Sequence, residues 1–204
     1  MSWGFGDFNG ESGFDGYFTK AGIVYFSSAG DSAGLNYPST SPDVVSAGGT
    51  TIDRNPTTGD YVAESAWPST GGGATPNEAR PSYQDGISAL VGADRGTPDM
   101  AFVADGRTGV WIYDSFPVNG TVGAWYIVSG TSVASPGLAG LVNAAGSFAA
   151  STNAELTTVY GDLGVNKDFH DITNGDCGPY AGYLALKGWD FCTGVGSVGG
   201  IAGK

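Results

Sequence analysis

Positive charge is scarce in this sequence. Eight Lys and Arg stand against 20 Asp and Glu, for a formal net charge of −12. So acidic a chain is excluded as a partner for nucleic acid or an anionic membrane, both of which recruit basic patches. The acidity itself has two readings: a surface suited to work in acid, where protonation relieves self-repulsion, or a solubilising surface with no pH meaning. Long apolar runs are missing too, and nothing approaches the ~20 residues that a membrane-spanning helix needs. The opening residues Met1-Ser2-Trp3-Gly4 have neither the basic nor the apolar region of a secretory signal and read as the middle of a longer chain. Histidine occurs once, at His170; with no second His or spaced Cys pair beside it, a zinc site is excluded. Cysteine occurs only at Cys177 and Cys192. Joined, they close a loop worth roughly 3 kcal/mol and imply an oxidising compartment. Unjoined, they are two buried thiols.

What is present suits a folded core. The 204 residues are 41% hydrophobic and 14% charged, enough to bury an apolar interior without staples. Glycine is abundant, at 36 residues, which predicts many tight turns and close backbone approaches. No repeat, low-complexity tract or charged linker divides the chain, so residues 1–204 read as one domain. Ala21 to Ser28 and Asp43 to Gly49 read as buried parallel-type strands that end on glycine. Thr50 to Pro98, with Gly71-Gly72-Gly73, reads as turns and short hairpins over the surface. Met100 to Ala104, Val110 to Tyr113 and Trp125 to Val128 read as strands. Pro136 to Ala145 is apolar nearly all round, which predicts a helix buried in the middle of the fold. Pro136 suits its first turn. Strands alternating with buried helices predict an α/β domain with a mainly parallel sheet.

The strongest chemical signal is Ser129-Gly130-Thr131-Ser132-Val133-Ala134-Ser135-Pro136. A strand stops at a glycine, and Ser132 stands at the start of a helix. There the dipole and free N–H groups stabilise developing negative charge. Ser is also a preferred helix cap, so spacing alone leaves both nucleophile and cap open. A carboxyl such as Asp31, at a strand end beside a nucleophile and shielded from water, would act as a hydrogen-bond donor in acid; a plain turn aspartate is the other reading.

The Ser129–Pro136 string resembles the nucleophile motif shared by subtilisin-like and sedolisin-like peptidases. Subtilisins need a histidine upstream of the serine, and His170 lies downstream, so that order is unavailable within this chain. Sedolisins use a Glu base with an Asp behind it. Further segments match the sedolisin (serine-carboxyl peptidase) family in order: Ser28 to Gly34, Tyr37-Pro38, Ser41-Pro42, Gly48-Gly49-Thr50, Glu64 to Trp67, Tyr83-Gln84 and Arg95 to Asp99. The resemblance implies a subtilisin-like fold, a mainly parallel sheet flanked by helices. It also implies an acid-active, secreted peptidase acting on peptides or proteins, with Ser132 as nucleophile and Asp31 in the oxyanion hole. Trp3 would pack behind the catalytic carboxylates, and Gly130 would support the nucleophile turn. The family's Glu/Asp helix lies upstream of the segment matching Ser2-Trp3-Gly4 and has no counterpart here. The chain therefore reads as the C-terminal part of a catalytic domain whose base comes from a missing segment, in one form a separate chain. Glu11 and Asp15, at i and i+4, are a substitute dyad in spacing, although Gly13 and Gly16 weaken a helix there; a solvated surface pair is the other reading. A truncated remnant, serving as a binding module or weak esterase, is the alternative function.

Residues 168–200 resemble the family's calcium loop. By position, Asp171 and Asp190 supply carboxylates, and Ile172, Leu186 and Gly188 supply carbonyls, a hard-oxygen set suited to one structural Ca²⁺. Leu186 stands where the family usually has glycine. Asp168 and Asp176 read as solvated acids, and Cys177 and Cys192 bracket the loop.

Overall fold

The computed structural model describes all residues except 117–119, 121, 165–167, 179–182 and 202–204. In chain order come β1 (Phe5–Gly6), a 3-10 helix (Glu11–Phe18), β2 (Phe26–Ser28), β3 (Asn36–Tyr37), β4 (Val45–Arg54), β5 (Tyr61–Ala66) and β6 (Gly73–Ala79). After a second 3-10 helix (Ser82–Ile87) follow α1 (Ser88–Val91), β7 (Asp94–Thr97), β8 (Met100–Val103), β9 (Val110–Asp114) and β10 (Ala124–Val128). The chain ends in α2 (Thr131–Ala145), α3 (Thr152–Gly161), β11 (Phe169–His170) and β12 (Ser197–Val198).

A six-stranded sheet in the order β11-β12-β8-β4-β2, with β5 alongside β4, organises the fold. The pairs β2–β4, β4–β8 and β8–β12 are parallel, as the glycine-terminated apolar runs predict. Val44, Val45, Ala47 and Ala101 are completely buried, because central strands of a covered parallel sheet need apolar side chains on both faces. Helix α2 crosses β2, β4 and β8. Beneath it, α3 and the second 3-10 helix close round Arg95 and Asp99, an ion pair with no solvent exposure on either side chain and a shortest contact of 2.6 Å. Tyr160 Oη and the Ser46 N–H both donate to the Asp99 carboxylate at 2.8 Å, so the buried charges are hydrogen-bonded as well as paired.

Two expectations change. Gly71, Gly72 and Gly73 are buried, not spread over the surface. A Cβ on Gly71 would stand 2.1 Å from the Ala29 carbonyl oxygen, and one on Gly72 1.9 Å from that of Phe191. Glycine is required there because backbones touch. Helix α2 is buried on one face only, through Thr131, Ala134, Ser135 and Leu138. Its outer side shares an apolar groove of about 680 Å³ with the β9–β10 hairpin, lined by Phe102, Val110, Ile112, Val133 and Pro136 beside Ser132. On that hairpin Trp111, Tyr113, Trp125 and Ile127 are all more than half exposed. The helix is apolar all round, as its sequence reads, but within this chain only one side is covered.

Candidate active site

Strand β10 runs into Ser129 and Gly130, and α2 begins at Thr131. Gly130 has φ 89°, a left-handed value that favours glycine, and its N–H donates to the Ala104 carbonyl at 2.6 Å. A Cβ at this position would lie 2.3 Å from Asp31 Oδ2. The glycine thus turns the chain and lets a carboxylate lie directly on the backbone before Ser132.

Asp31 is held there by its neighbour. The Thr131 N–H and Thr131 Oγ1 both donate to Asp31 Oδ1, at 2.7 and 2.8 Å, and the Gly30 N–H donates to Thr131 Oγ1 at 3.0 Å. The Val133 N–H is taken by the Gly130 carbonyl. The Ser132 N–H is thereby left uncommitted among the described hydrogen bonds of the first turn. Asp31 is exposed rather than shielded from water as its sequence context predicts, because it sits in an exposed turn, Asp31 to Gly34, after β2. Ser132 is partly exposed, and its carbonyl accepts from Ser2 Oγ at 2.7 Å. Sequence reasoning missed Ser2 and Thr131 as supports, although both lie inside motifs it singled out. Among the described hydrogen bonds, no carboxylate reaches Ser132 Oγ.

Trp3 is 55% exposed and meets Phe5 edge-to-face, with ring centroids 6.2 Å apart. With Phe8, Phe14, Tyr17 and Tyr37 these rings line a cup of about 400 Å³. Among the described ring contacts Trp3 meets only Phe5.

Glu11 and Asp15 lie in the first 3-10 helix, where Gly13 and Gly16 replace helix-supporting residues. They are not a solvated pair. Glu11 is completely buried, accepts from Thr40 Oγ1 at 2.6 Å and from the Phe8 N–H at 3.0 Å, and feels the Asp7 carboxyl. Asp15 accepts from Tyr37 Oη at 3.3 Å, and its carboxyl acts on that of Glu78. Burial is the main cause that pushes Glu11 up to about 7 and Glu78 up to about 8, with the neighbouring carboxylates adding to it. Burial also raises Asp15. No described hydrogen bond joins Glu11 or Asp15 to the Ser132 turn.

In the C-terminal loop, Cys177 and Cys192 are joined by a disulfide across a sequence separation of 15, within a small core of Ala66, Ile172 and Ala185. The Gly188 N–H donates to both oxygens of Asp171 at 3.1 and 3.2 Å. The Leu186 N–H donates to Asp190 Oδ2 at 3.1 Å, and the Cys192 and Thr193 N–H groups donate to Oδ1. Burial pushes Asp190 up to about 6 against the pull of these donors. Among the described residues no Lys or Arg pairs with Asp171 or Asp190. No group of three or more His, Cys, Asp or Glu there is placed to hold a metal, so a cation in this loop would depend on backbone carbonyls. Part of the loop, 179–182, lies outside the described residues. Leu186 is exposed and Gly188 has φ 86°, so the glycine requirement of this turn is met at Gly188. His170 stands apart, 3.2 Å from Glu64.

No family model matches the sequence. Among curated proteins, it is 32% identical over 189 residues to sedolisin of Pseudomonas sp. (strain 101), covering 83% of this chain and 30% of that protein. It is 31% identical to kumamolisin of Bacillus sp. (strain MN-32), covering 88% of this chain and 35% of that one. It is 33% identical to xanthomonalisin of Xanthomonas sp. (strain T-22), covering 80% and 21%. The chain thus spans about a third or less of the curated relatives it matches. The solved structure of Pseudomonas sedolisin (serine-carboxyl proteinase) with two molecules of pseudo-iodotyrostatin superposes with a TM-score of 0.71 at 30% identity, over 87% of this chain and 54% of that one. A psychrophilic protease, S41, and sphericase share the fold, with TM-scores of 0.54 and 0.53.

Proposed function

The chain belongs to the sedolisin family of serine-carboxyl peptidases, and from that premise we propose that it carries the nucleophile and oxyanion half of an acid-active peptidase. The observation that supports this most directly is the contact of Asp31 with Gly130 and Thr131, next to Ser132. In this reading Ser132 Oγ attacks the scissile carbonyl carbon, the carbonyl π electrons move to oxygen, and the Ser132 proton leaves to a carboxylate base. The tetrahedral oxyanion receives hydrogen bonds from the Ser132 N–H and from protonated Asp31. Because both Thr131 donors go to Oδ1, Oδ2 is the oxygen that carries the donated proton. The base is a Glu/Asp pair on an upstream segment, in the same longer protein or as a separate chain. The uncovered apolar side of α2 and the exposed hairpin rings support a further layer of polypeptide there.

The calcium reading fits the donor set. Asp190 is buried and Asp171 half-buried, with no cation paired to either among the described residues. Carbonyls of Ile172, Leu186 and Gly188 would complete a hard-oxygen site whose bound Ca²⁺ would neutralise both acids. Secretion and work in acid accord with the disulfide and the acidic composition.

A second reading rests on the absence, among the described residues, of a carboxylate bonded to Ser132 Oγ. Alone, the chain would then be a silent module or a weak esterase, since an oxyanion hole retains some rate enhancement without a full triad. Treatment with a peptide-aldehyde inhibitor in acid, with Ser132→Ala as control, separates the two. Ser132-dependent labelling and peptide cleavage support the peptidase; neither, even with the upstream segment supplied, overturns it.

A further inference from the structure

Outside the Ser132 site, three distant segments bring carboxyl groups into one cluster. Asp7 follows β1, Glu11 and Asp15 come from the first 3-10 helix, and Glu78 lies on β6. Glu11 is fully buried and Glu78 is 5% exposed. The Glu11 carboxyl feels that of Asp7, and the Glu78 carboxyl feels that of Asp15. Two carboxylates repel, so each pair holds together only with a proton between them. Glu78 Oε1 is buried with no ordinary donor beside it, an orphan that a proton shared with Asp15 satisfies. The charges that act most on Glu78 are other carboxylates, those of Asp15, Glu11 and Asp7. The remaining titratable groups facing the cluster are Tyr37, bonded to Asp15, Asp43, whose carboxyl feels that of Asp15, and Tyr83 beyond them. Arg95 stacks over Tyr83 but is committed to Asp99. Thr75 Oγ1 and Asn77 Nδ2 tie Asp7 to β6 as well.

We propose that Asp7, Glu11, Asp15 and Glu78 form a proton-operated latch, which clamps the 3-10 helix and β1 to β6 in acid and releases them towards neutral pH. What it clamps is the strand that leads from Ser2. Strand β1 pairs with β3 from Phe5 to Tyr37, the Asp7 N–H donates to the Leu35 carbonyl, and Phe8, Phe14 and Phe18 all pack against Tyr37. Loss of the protons leaves like charges buried together with no Lys or Arg among the described residues paired to them, and the segment that separates most readily is the exposed aromatic one.

The sign follows from linkage. Glu11 and Glu78 titrate in the folded chain at about 7 and about 8, above the ordinary 4.5 of a free glutamate. Folding therefore binds protons between those limits, and stability is full in acid and lost as pH rises through the folded values. The full chain should show a melting temperature that falls by several degrees between about pH 5 and about pH 8, and Glu78→Gln together with Glu11→Gln should flatten that fall. If the double variant does not fold, hydrogen exchange of the unmodified chain decides. After correction for intrinsic rates, protection at the Asp7 and Phe8 amides should drop towards neutral pH while that at Val45 persists. An unchanged fall in the double variant, no fall in the unmodified chain, or equal loss of protection at all three amides would overturn the latch. None of these readouts uses Ser132 chemistry, so they stand apart from the peptidase reading.

Discussion

Asp31 is the residue whose replacement says most. Asparagine at position 31 can still accept from Thr131 through its carbonyl and present an N–H₂ where Oδ2 stands, with no proton to lose. Asp31→Asn is therefore expected to retain Ser132 labelling, whereas Asp31→Ala should lower the labelling rate about a hundred- to a thousand-fold. Rates of inhibitor adduct formation across pH test both. Gly130→Ala should do as much damage as Asp31→Ala, because its methyl would meet Asp31 Oδ2 at 2.3 Å on a backbone with φ 89°. Ser132 and Gly130 are legible in the sequence because a strand, a glycine and a serine before a helix is a local pattern. The oxyanion role proposed for Asp31 rests on the family resemblance rather than on any local pattern. Of the carboxyl cluster only the Glu11/Asp15 spacing was legible: Glu78 meets Asp15 from 63 residues away, and no spacing rule reaches across that distance.

At the scale of elements, helix α2 and the buried ion pair beneath it carry separable loads. Leu138 is 1% exposed inside the main core, so Leu138→Ala should cost about 2–5 kcal/mol, measured by denaturant unfolding. Asp99→Ala should cost about 3–5 kcal/mol, since it strands the Arg95 guanidinium without its partner in a site closed to water. The strand segments were readable because β-branched and aromatic runs ending on glycine leave few alternatives. The outer face of α2 misled for a physical reason: an all-round apolar helix reports what the folded assembly covers, and this chain covers half of it. The central glycines misled because a run of three reads as a surface turn, whereas here it lets backbone pass against Ala29 and Phe191.

For the whole molecule, the disulfide and the proposed calcium loop act on the same end of the chain. Reduction of Cys177–Cys192, which closes 15 residues, should lower stability by about 3 kcal/mol, seen as a lower melting temperature with a thiol reductant. Added Ca²⁺ should raise the melting temperature and a chelator reverse it; equal values with and without the ion would remove the metal from the account. The mainly parallel α/β class of fold was legible, but the charge layout was not, since a net −12 says nothing of which carboxyls are buried together. The contacts around Ser132 also carry a consequence for biosynthesis. Asp31 is joined to Thr131 across 100 residues, and Ser2 to Ser132 across 130. Contacts of such high sequence separation form only after long loops have closed. A ribosome releasing this chain from its first residue therefore exposes Asp31 and Ser2 long before either has its partner. The turn that carries Ser132 can be completed only once α2 has emerged.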